Sequence, residues 1–376
     1  MRFDLASVAL LAAALSASAN AVPGPKLKAA RAPITAEEIA AKSEAGLALL
    51  RFSEDTDPEW KTEEEKLQLM REDVHFMDVT YTWDRKQALA KTKKLAKAAR
   101  AFPSSATHVA AVNKILSTVS TANMQSWLTS LTAFNNRYYR ASTGAQASNY
   151  ILDEVSDIIS GRSDISVSLF DHSWTQSSIV AKIKGTSAQT PVVIVGAHMD
   201  SINLSNPTSG RAPGADDDGT GTPKTPVEFH WYSGEEAGLL GSQDIAQQYA
   251  EDGVDVYAMM EMDMSGYFKP GTTEVFALEA DYIDGSLNTF LGKLIDEYAA
   301  FGWTMDTPCG YACSDHASWY EQGYPTTFPF EAVTGNDNPR IHSSSDTTSV
   351  SGFSWTHATE FAKIVVAFVY ELAPPA

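Results

Sequence analysis

The chain has 376 residues, of which 44% are hydrophobic and 20% are charged, an ordinary balance for a globular protein with a substantial core. Its formal net charge is −19. This charge argues against nucleic acid and against an anionic membrane as partners, because both require a basic footprint on the protein.

The first residues predict a signal peptide. Arg2 provides a positive start, residues 8–15 form a short apolar run, and residues 19–21 offer small side chains for cleavage. The run is too short for the ~20 apolar residues that span a bilayer, and no other segment of the sequence approaches that length. We therefore expect residues 1–21 to be removed and the remaining chain to be secreted and extracellular.

Residues 22–100 differ in composition from the residues that follow. An acidic stretch at 54–65 precedes a basic, alanine-rich stretch at 85–100, which predicts a solvated helix. The position of this region, between a signal peptide and a well-patterned domain, predicts a removable pro-segment and hence a zymogen. Residues 101–376 are then the main domain.

The main domain shows the patterns of an α/β fold. Residues 165–170 and 179–183 alternate in polarity like paired antiparallel strands, and residues 192–197 form the continuous apolar run of a buried parallel strand. Further strands are predicted at 227–232, 256–262 and 326–331, and helices at 149–159, 237–249, 287–301 and 355–372. We expect a mixed, mainly parallel sheet with helices on both faces.

Polar side chains follow the predicted strands at the points where the strands end. They are His198, Asp200, Asp217, Glu235, Glu236, Asp263 and His342. In an open parallel sheet ligands bind outside the carboxyl ends of the strands, so we expect these groups to converge. Each motif alone is weak, since an Asp triplet is usually a solvated turn and a Glu pair before a helix complements its dipole. Several motifs at successive strand ends favour one common site.

The types of side chain in this set predict a metal centre. Two histidines and three carboxylates, without a thiolate, suit zinc in catalytic sites. A bridging carboxylate would hold two ions ~3.5–4 Å apart, as in two-metal hydrolases. Such a pair polarises a carbonyl and acidifies a shared water, and an adjacent carboxylate that is not a ligand takes the proton of that water.

Two further features concern modification of a secreted chain. The cysteines Cys309 and Cys313 favour a small disulfide over a metal pair. Such a bridge would mainly fix a local turn, because the loop that it closes is short. The sequence Asn203-Leu204-Ser205 is an acceptable glycosylation site close to the predicted metal motif.

Together these motifs resemble the secreted fungal leucine aminopeptidases and their bacterial di-zinc relatives. The resemblance runs from about Phe102 to the end of the chain, and its strongest pieces are GAHMDSIN, APGADDDGTG, EFHWYSGEEAGLLGSQDIA, MEMDMSGY, CGYACSDHASW and IHSSSDT. It implies the zinc exopeptidase type of fold and a metallo-aminopeptidase with two zinc ions per chain. The implied substrates are peptides with a free N-terminus and a first residue that is Leu or otherwise apolar. We expect a monomer.

The resemblance also implies the metal ligands. His198 and Asp263 would bind one zinc ion, Glu236 and His342 would bind the other, and Asp217 would bridge both.

Three further roles follow from the same resemblance. Glu235 would be the general base, and Asp200 would orient His198, as metal-bound histidines usually require. Tyr311, held by a bridge between Cys309 and Cys313, would reach toward the substrate carbonyl.

One connection departs from the family pattern, in which a helix follows the bridging Asp. Here residues 219–226, with two prolines and two glycines, are all that separates Asp218 from Val227. A parallel crossover normally needs a dozen or more residues, usually helical. The short connection indicates a missing exon or a splice variant, and it predicts exposed apolar surface on one face of the sheet.

Three alternative functions remain at this stage. A carboxypeptidase or amidohydrolase uses the same order of ligands, but such relatives usually insert a lid domain before the last His, and residues 264–341 leave little room for one. A glutaminyl cyclase with a single zinc ion keeps similar ligands. A secreted binding protein without activity would result if the deletion after Asp218 spoils the site.

Overall fold

The computed structural model describes residues 34–53, 56–72, 74–92, 100–185, 191–215 and 227–374. The predicted signal peptide and the connection 216–226, including Asp217, lie outside the described residues. The helices are α1 (Ala36–Glu44), α2 (Glu63–Arg71), α3 (Trp83–Thr92), α4 (Val109–Leu116), α5 (Thr121–Leu131), α6 (Ser142–Ile158), α7 (Leu240–Asp252), α8 (Gly285–Tyr298), α9 (His316–Glu321) and α10 (Trp355–Leu372). The strands are β1 (Leu47–Arg51), β2 (Glu59–Thr62), β3 (Met77–Asp78), β4 (Ile165–Phe170), β5 (Ser178–Ile183), β6 (Val192–His198), β7 (Val227–Tyr232), β8 (Val256–Glu261), β9 (Phe276–Leu278), β10 (Trp303–Met305), β11 (Thr326–Thr327) and β12 (Pro329–Phe330).

A six-stranded sheet forms the centre of the fold, in the order β11–β8–β6–β7–β5–β4. The first four strands of this order are parallel neighbours, and β5 and β4 continue the sheet in antiparallel pairing. The prediction of a mixed, mainly parallel sheet is confirmed. Because β6 lies between β8 and β7, the carboxyl ends of these three strands lie side by side at one edge.

Helices cover both faces of the sheet, as predicted. Successive residues of a strand point to opposite faces, and the central strand β6 shows this directly. Val193 and Val195 pack in one apolar cluster with α6, α8 and α10, whereas Ile194 packs in a second cluster with α7 and α9. None of the described helices is long and apolar enough to cross a lipid bilayer.

One predicted strand is divided in the structure. The sequence predicts a continuous strand at 326–331, but β11 pairs in parallel with β8 and β12 pairs antiparallel with β9. The second pairing belongs to a separate sheet in the order β10–β9–β12, of which β12 is an edge strand. Pro329 has no amide hydrogen to donate to a ladder, so it is suited to an edge. The prediction of one strand is wrong, and the change of partner carries Phe328 and Phe330 to the wall of a cavity.

The described residues of the predicted pro-segment form a small antiparallel sheet in the order β2–β1–β3 with α1, α2 and α3 around it. This segment and the residues that follow belong to one compact unit, Ala36–Ala376. Among the contacts that join them, Arg85 Nη1 lies 2.7 Å from Asp244 Oδ1 on α7. The predicted boundary near residue 100 therefore separates two parts that pack against each other.

An apolar groove of ≈ 130 Å³ lies between α5, α6, α10 and the sheet. Its wall includes Trp127, Trp231 and Phe361, and Ala215 borders it. Ala215 is the last described residue before the short connection, and the described part of the crossover from β6, residues 199–215, contains no helix. The groove thus lies beside a crossover whose described part is a loop.

Candidate active site

Four of the five predicted ligands lie at the carboxyl edge of the central sheet. His198 is the last residue of β6, Asp263 follows β8 by two residues, and Glu236 lies in the turn after β7. This turn passes through Gly234 with a φ of +73°, a conformation that L side chains rarely adopt. His342 reaches the same edge from the loop between β12 and α10, so four elements deliver the four described ligands.

The structure brings these four residues together as two pairs. His198 Nε2 lies 3.5 Å from Asp263 Oδ1, and His342 Nε2 lies 3.0 Å from Glu236 Oε2. The hydroxyl of Ser314 donates to Asp263 Oδ2 at 2.8 Å and fixes that carboxylate. Each pair has one imidazole and one carboxylate, which is the division between two metal ions that the sequence predicts.

Asp200 connects the two pairs. Its buried carboxylate accepts hydrogen bonds from the backbone N–H of Glu235 at 2.9 Å and of Glu236 at 3.3 Å. His198 Nδ1 lies 3.2 Å from the backbone oxygen of Asp200 and 3.6 Å from its Oδ1. Asp200 thus contacts His198 chiefly through its main chain, and its carboxylate positions the turn that carries Glu235 and Glu236.

His342 adopts an unusual backbone conformation, with a φ of +56°. Met264, which follows Asp263, has a φ of +50°. Left-handed backbone at residues other than glycine is sparsely populated and is typical of functional sites that hold it in place. The carbonyl of His342 accepts a hydrogen bond from the backbone N–H of Leu204 at 3.1 Å, which ties this loop to the loop after β6.

The segment predicted to hold Tyr311 forms a closed turn. Cys309 and Cys313 are joined by a disulfide, with a Cα–Cα distance of 6.2 Å, and Tyr311 lies between them on the cavity wall. Glu279 and Asp281 lie close to the same two sulfurs. Because both sulfurs are already bonded to each other, this cluster offers no thiolate for a metal.

A cavity of ≈ 520 Å³ opens above the ligand pairs. Its floor includes His198, Glu235, Glu236, Asp263 and His342. Its wall includes the apolar residues Leu204, Met264, Phe328, Phe330 and Ile341. A third side is formed by the amino-terminal segment, through Met70, Val74, His75 and Phe76. The cavity therefore combines the predicted metal site, an apolar side-chain pocket and a cover contributed by the predicted pro-segment.

Acidic groups are concentrated at this edge in a poorly hydrated environment. Burial raises the pKa of Glu235 well above its ordinary value, although the nearby His198 opposes the shift. Burial lowers the pKa of His198, but contacts with Asp200 and Asp263 outweigh it, so that the pKa is raised well above its usual value. Buried carboxylates of this kind favour a bound cation, since each is costly to ionise alone.

Two buried acids at this edge have no assigned role in the sequence analysis. Asp315 is fully buried, accepts a hydrogen bond from Ser242, and has its pKa raised to about 7 chiefly by burial. Neither carboxylate oxygen of Glu261 has a hydrogen-bond partner among the described residues. Asp315 lies within the CGYACSDHASW motif, which was a usable signal. Glu261 lies within the MEMDMSGY motif but ends the apolar strand β8, and its burial near the site depends on the sheet.

The described residues fit a metal site. Glu236 Oε1 is buried without a hydrogen-bond partner in the described structure, although its other oxygen contacts His342. Imidazole nitrogens and carboxylate oxygens are the ligands of catalytic zinc. A buried carboxylate oxygen without a hydrogen-bond partner is suited to coordinate a cation. The remaining predicted ligand, Asp217, lies outside the described residues.

Comparison with known proteins identifies the family. The profile of Peptidase family M28 matches residues 178–223 and 220–369, two segments that meet at the short connection after Asp218. The chain belongs to peptidase family M28. It is therefore an enzyme, a peptide hydrolase, as the sequence predicts, and M28 membership indicates a metal-dependent one.

Fungal relatives extend this M28 assignment over most of the chain. Leucine aminopeptidase 1 of Arthroderma otae is 40% identical over 342 residues, which cover 84% of this chain and 89% of the relative. A second protein of that fungus, named probable leucine aminopeptidase, is 38% identical over 384 residues and covers 97% of this chain and 98% of the relative. The resemblance to the fungal enzymes is confirmed, and these similarities give no support to an inactive binding protein.

Solved structures show the same fold. The LapA aminopeptidase of Legionella pneumophila superposes with a TM-score of 0.74 at 31% identity, covering 90% of this chain and 96% of that chain. A Bacteroides thetaiotaomicron glutaminyl cyclase superposes with a TM-score of 0.55 at 13% identity over 67% of this chain and 98% of that chain, which shows a shared fold alone.

Proposed function

We propose that this M28 peptidase is a secreted zinc aminopeptidase that removes Leu and other apolar residues from the N-termini of peptides. The observation that supports it most strongly is the pair of imidazole–carboxylate contacts beside Glu235, on the floor of a cavity with an apolar wall. The names of the fungal relatives, leucine aminopeptidases, support the same substrate.

The proposed ligands are divided between two zinc ions in the same way as the two imidazole–carboxylate pairs. His198 and Asp263 would hold one zinc ion, Glu236 and His342 would hold the second, and Asp217 would lie between them. When bound, the two ions would polarise the scissile carbonyl and lower the pKa of a water molecule.

Glu235 is the proposed general base. It lines the cavity next to Glu236, and its main chain is fixed by the carboxylate of Asp200 at 2.9 Å. A carboxylate held in this way can accept the proton of the attacking water and later give it to the departing amine. Tyr311, at the tip of the disulfide turn, is proposed to contact the substrate carbonyl.

The apolar wall is the proposed pocket for the first side chain of the substrate. Met264, Phe328, Phe330 and Ile341 border the cavity near the ligands. A leucyl side chain transferred from water to such a surface gains roughly 1.5–3 kcal/mol. The preference for an apolar first residue follows from this wall.

Residues 22–100 are the proposed pro-segment, after a signal peptide at 1–21. Their described part covers the cavity, because Met70, Val74 and His75 line it together with the predicted ligands. Removal of this segment would expose the site to peptides. A chain whose cover is removed after secretion would act as a zymogen, and we propose that the mature enzyme works as a monomer.

The proposal includes glycosylation at Asn203. The side-chain amide of Asn203 donates to the carbonyl of Arg211 at 2.8 Å, and its oxygen accepts from the backbone N–H of Ser205 at 3.0 Å. A glycan would have to form on a nitrogen already engaged in this loop. Treatment of the secreted chain with a glycosidase, followed by mass measurement, tests it.

Turnover of leucine p-nitroanilide tests the proposed activity. We expect hydrolysis that a chelator abolishes and zinc restores. Hydrolysis that persists after complete removal of metal would overturn the metal mechanism. Zinc content separates a glutaminyl cyclase with one ion from the proposed enzyme with two.

A further inference from the structure

Glu279 is a buried acidic residue on the wall of the cavity that is not a predicted metal ligand. It follows β9 directly, only 2% of it is exposed, and it borders the same cavity as the predicted ligands. No function has been assigned to it above, and a carboxylate in an apolar side-chain pocket requires an explanation, because burying it without a partner is costly.

Strand pairing places Glu279 on the cavity side. β9 and β12 are antiparallel, with Ala277 opposite Phe330 and Leu278 opposite Pro329. The backbone N–H of Glu279 donates to the carbonyl of Phe328 at 3.0 Å, which continues the pairing by one residue. Opposed residues in an antiparallel pair share a face. Glu279 therefore shares a face with Phe328 and Phe330, both of which line the cavity.

The carboxylate of Glu279 has no cationic partner among the described residues. In the described part of the chain, its carboxylate contacts the sulfur of Cys309, which is in a disulfide and lies 3.2 Å from Oε2. The ion pairs of the described residues do not include it. Burial raises the pKa of Glu279 to about 8, and the negative charges of Asp306 and Asp281 add to this shift.

Unlike Glu279, the two neighbouring acids accept hydrogen bonds from backbone N–H groups. Asp281 accepts hydrogen bonds from the backbone N–H of Cys309 at 3.2 Å and of Gly310 at 2.8 Å. Asp306 accepts from Thr334 through both backbone and hydroxyl, at distances of 2.8–3.2 Å. Glu279 is thus the carboxylate that remains available to a ligand in the cavity.

We propose that Glu279 selects substrates whose first residue carries a cationic side chain, Lys or Arg, in addition to the apolar residues that the wall accepts. The inference rests on the proposed aminopeptidase function and names a second substrate class for the same site. The methylene groups of a lysyl side chain would pack against Phe328 and Phe330, and its ammonium group would reach Glu279. The positive charge of the ammonium group would favour the ionised form of this buried acid. A lone carboxylate in a side-chain pocket selects basic residues in unrelated peptidases for the same reason.

The test compares substrates that differ only in the terminal ammonium group. Aminomethylcoumarin amides of Lys and of norleucine are used as substrates. Their hydrolysis is measured with the secreted protein, in the form that its host produces, and with the Glu279→Gln variant. We expect the ratio of kcat/KM for Lys over norleucine to fall ~10-fold or more in the variant, since a charge pair is replaced by a neutral contact. Asp337→Asn is the matched control, because its carboxylate lines the same cavity but accepts the backbone N–H of Gly335 at 2.7 Å, and it should leave this ratio unchanged.

Two results would overturn the proposal. An unchanged Lys/norleucine ratio in Glu279→Gln would show that the carboxylate does not contact the side chain. An equal loss for both substrates would instead assign Glu279 to the α-ammonium group, which every substrate shares.

A binding measurement separates this inference from the proposed function. If the wild-type chain hydrolyses none of these amides, the aminopeptidase proposal fails. Calorimetric titration with the amides of lysine and norleucine then decides the inference. Tighter binding of the lysine amide that Glu279→Gln abolishes would support it, and equal binding of both amides would refute it.

Discussion

The imidazole of His75 stacks on the phenol ring of Tyr311, with the ring centroids 3.6 Å apart and the ring planes 6° from parallel. His75 belongs to the amino-terminal segment and Tyr311 to the disulfide turn on the cavity wall. The side chain proposed to meet the substrate carbonyl is therefore in contact with the predicted pro-segment. This contact gives the zymogen proposal a specific location.

The first prediction concerns this contact. Removal of residues 22–100 should increase the turnover of leucine p-nitroanilide, because it uncovers the cavity. In the intact chain His75→Ala should give a partial increase of about fivefold, since a ring pair contributes about 1 kcal/mol. His75→Phe, which retains a stacked ring, is the control. An intact precursor with the full activity of the processed chain would show that the segment does not restrict the site.

The second prediction separates metal binding from proton transfer. Glu235→Gln should retain its metal, because Glu235 is not a proposed ligand, while kcat falls ~10²–10⁴-fold with the loss of the general base. Metal analysis and kinetics on the same preparation test both statements. Full activity in the variant would remove Glu235 from its proposed role.

The third prediction concerns Asp200. Its carboxylate accepts the backbone N–H groups of Glu235 and Glu236, so Asp200→Ala would leave two donors without their partner. We expect zinc affinity to fall ~10–100-fold, as for other residues that support metal ligands. Competition with a chromophoric chelator measures it. Ser314→Ala, which removes a single hydrogen bond to Asp263, should reduce zinc affinity by less than Asp200→Ala does. A larger reduction in Ser314→Ala would contradict the proposed role of Asp200.

The outline of the sheet and its ligand edge was predictable because both depend on local patterns. Apolar runs mark the parallel strands, and the polar residues that end them, such as His198 and Asp263, must meet where the strands are neighbours. The division of the strand at 326–331 was not predictable in this way. Its two halves differ by their partners, β8 and β9, and partner choice depends on residues far away in the chain.

The proposed roles of His75 and Glu279 could not be predicted from the sequence for the same physical reason. His75 acts through a contact with Tyr311, which is distant in the chain, and its neighbours in sequence carry no motif. Glu279 follows a strand of three residues, too short to show a period, and only the pairing with β12 shows which face it occupies. Asp217 lies in one of the strongest motifs, APGADDDGTG, yet its position falls outside the described residues.

The fourth prediction is a pH dependence of stability. Burial raises the pKa of Glu371, but hydrogen bonds from Tyr298 and from the backbone of Thr107 and His108 outweigh this and lower it to about 2. Since the folded pKa is depressed, the stabilisation is present above the ordinary pKa of 4.5 and is lost as the pH falls toward 2.

Denaturant unfolding of wild type and Glu371→Gln tests this dependence. The variant should be less stable by ~2–3 kcal/mol at pH 7, and the difference should shrink steadily between pH 5 and the acid range. A difference that does not change with pH would show that Glu371 stabilises the fold without its charge.

The fifth prediction concerns the apolar groove beside the short crossover. Ala358 and Ala362 of α10 border it, and added apolar volume there would fill space next to Trp231 and Phe361. Ala362→Leu should raise the free energy of unfolding by ~1 kcal/mol. Ala362→Ser, which adds a polar group at the same place, should not. Destabilisation by leucine would mean that the groove is closed in solution.

The most direct measurement is a zinc titration of the metal-free secreted chain, with leucine p-nitroanilide turnover and bound metal followed together. The two imidazole–carboxylate pairs predict that activity rises from zero and reaches its maximum as two zinc ions bind per chain. Turnover that remains in the metal-free chain, or a folded chain that binds no zinc, would contradict a metal centre at His198, Asp263, Glu236 and His342.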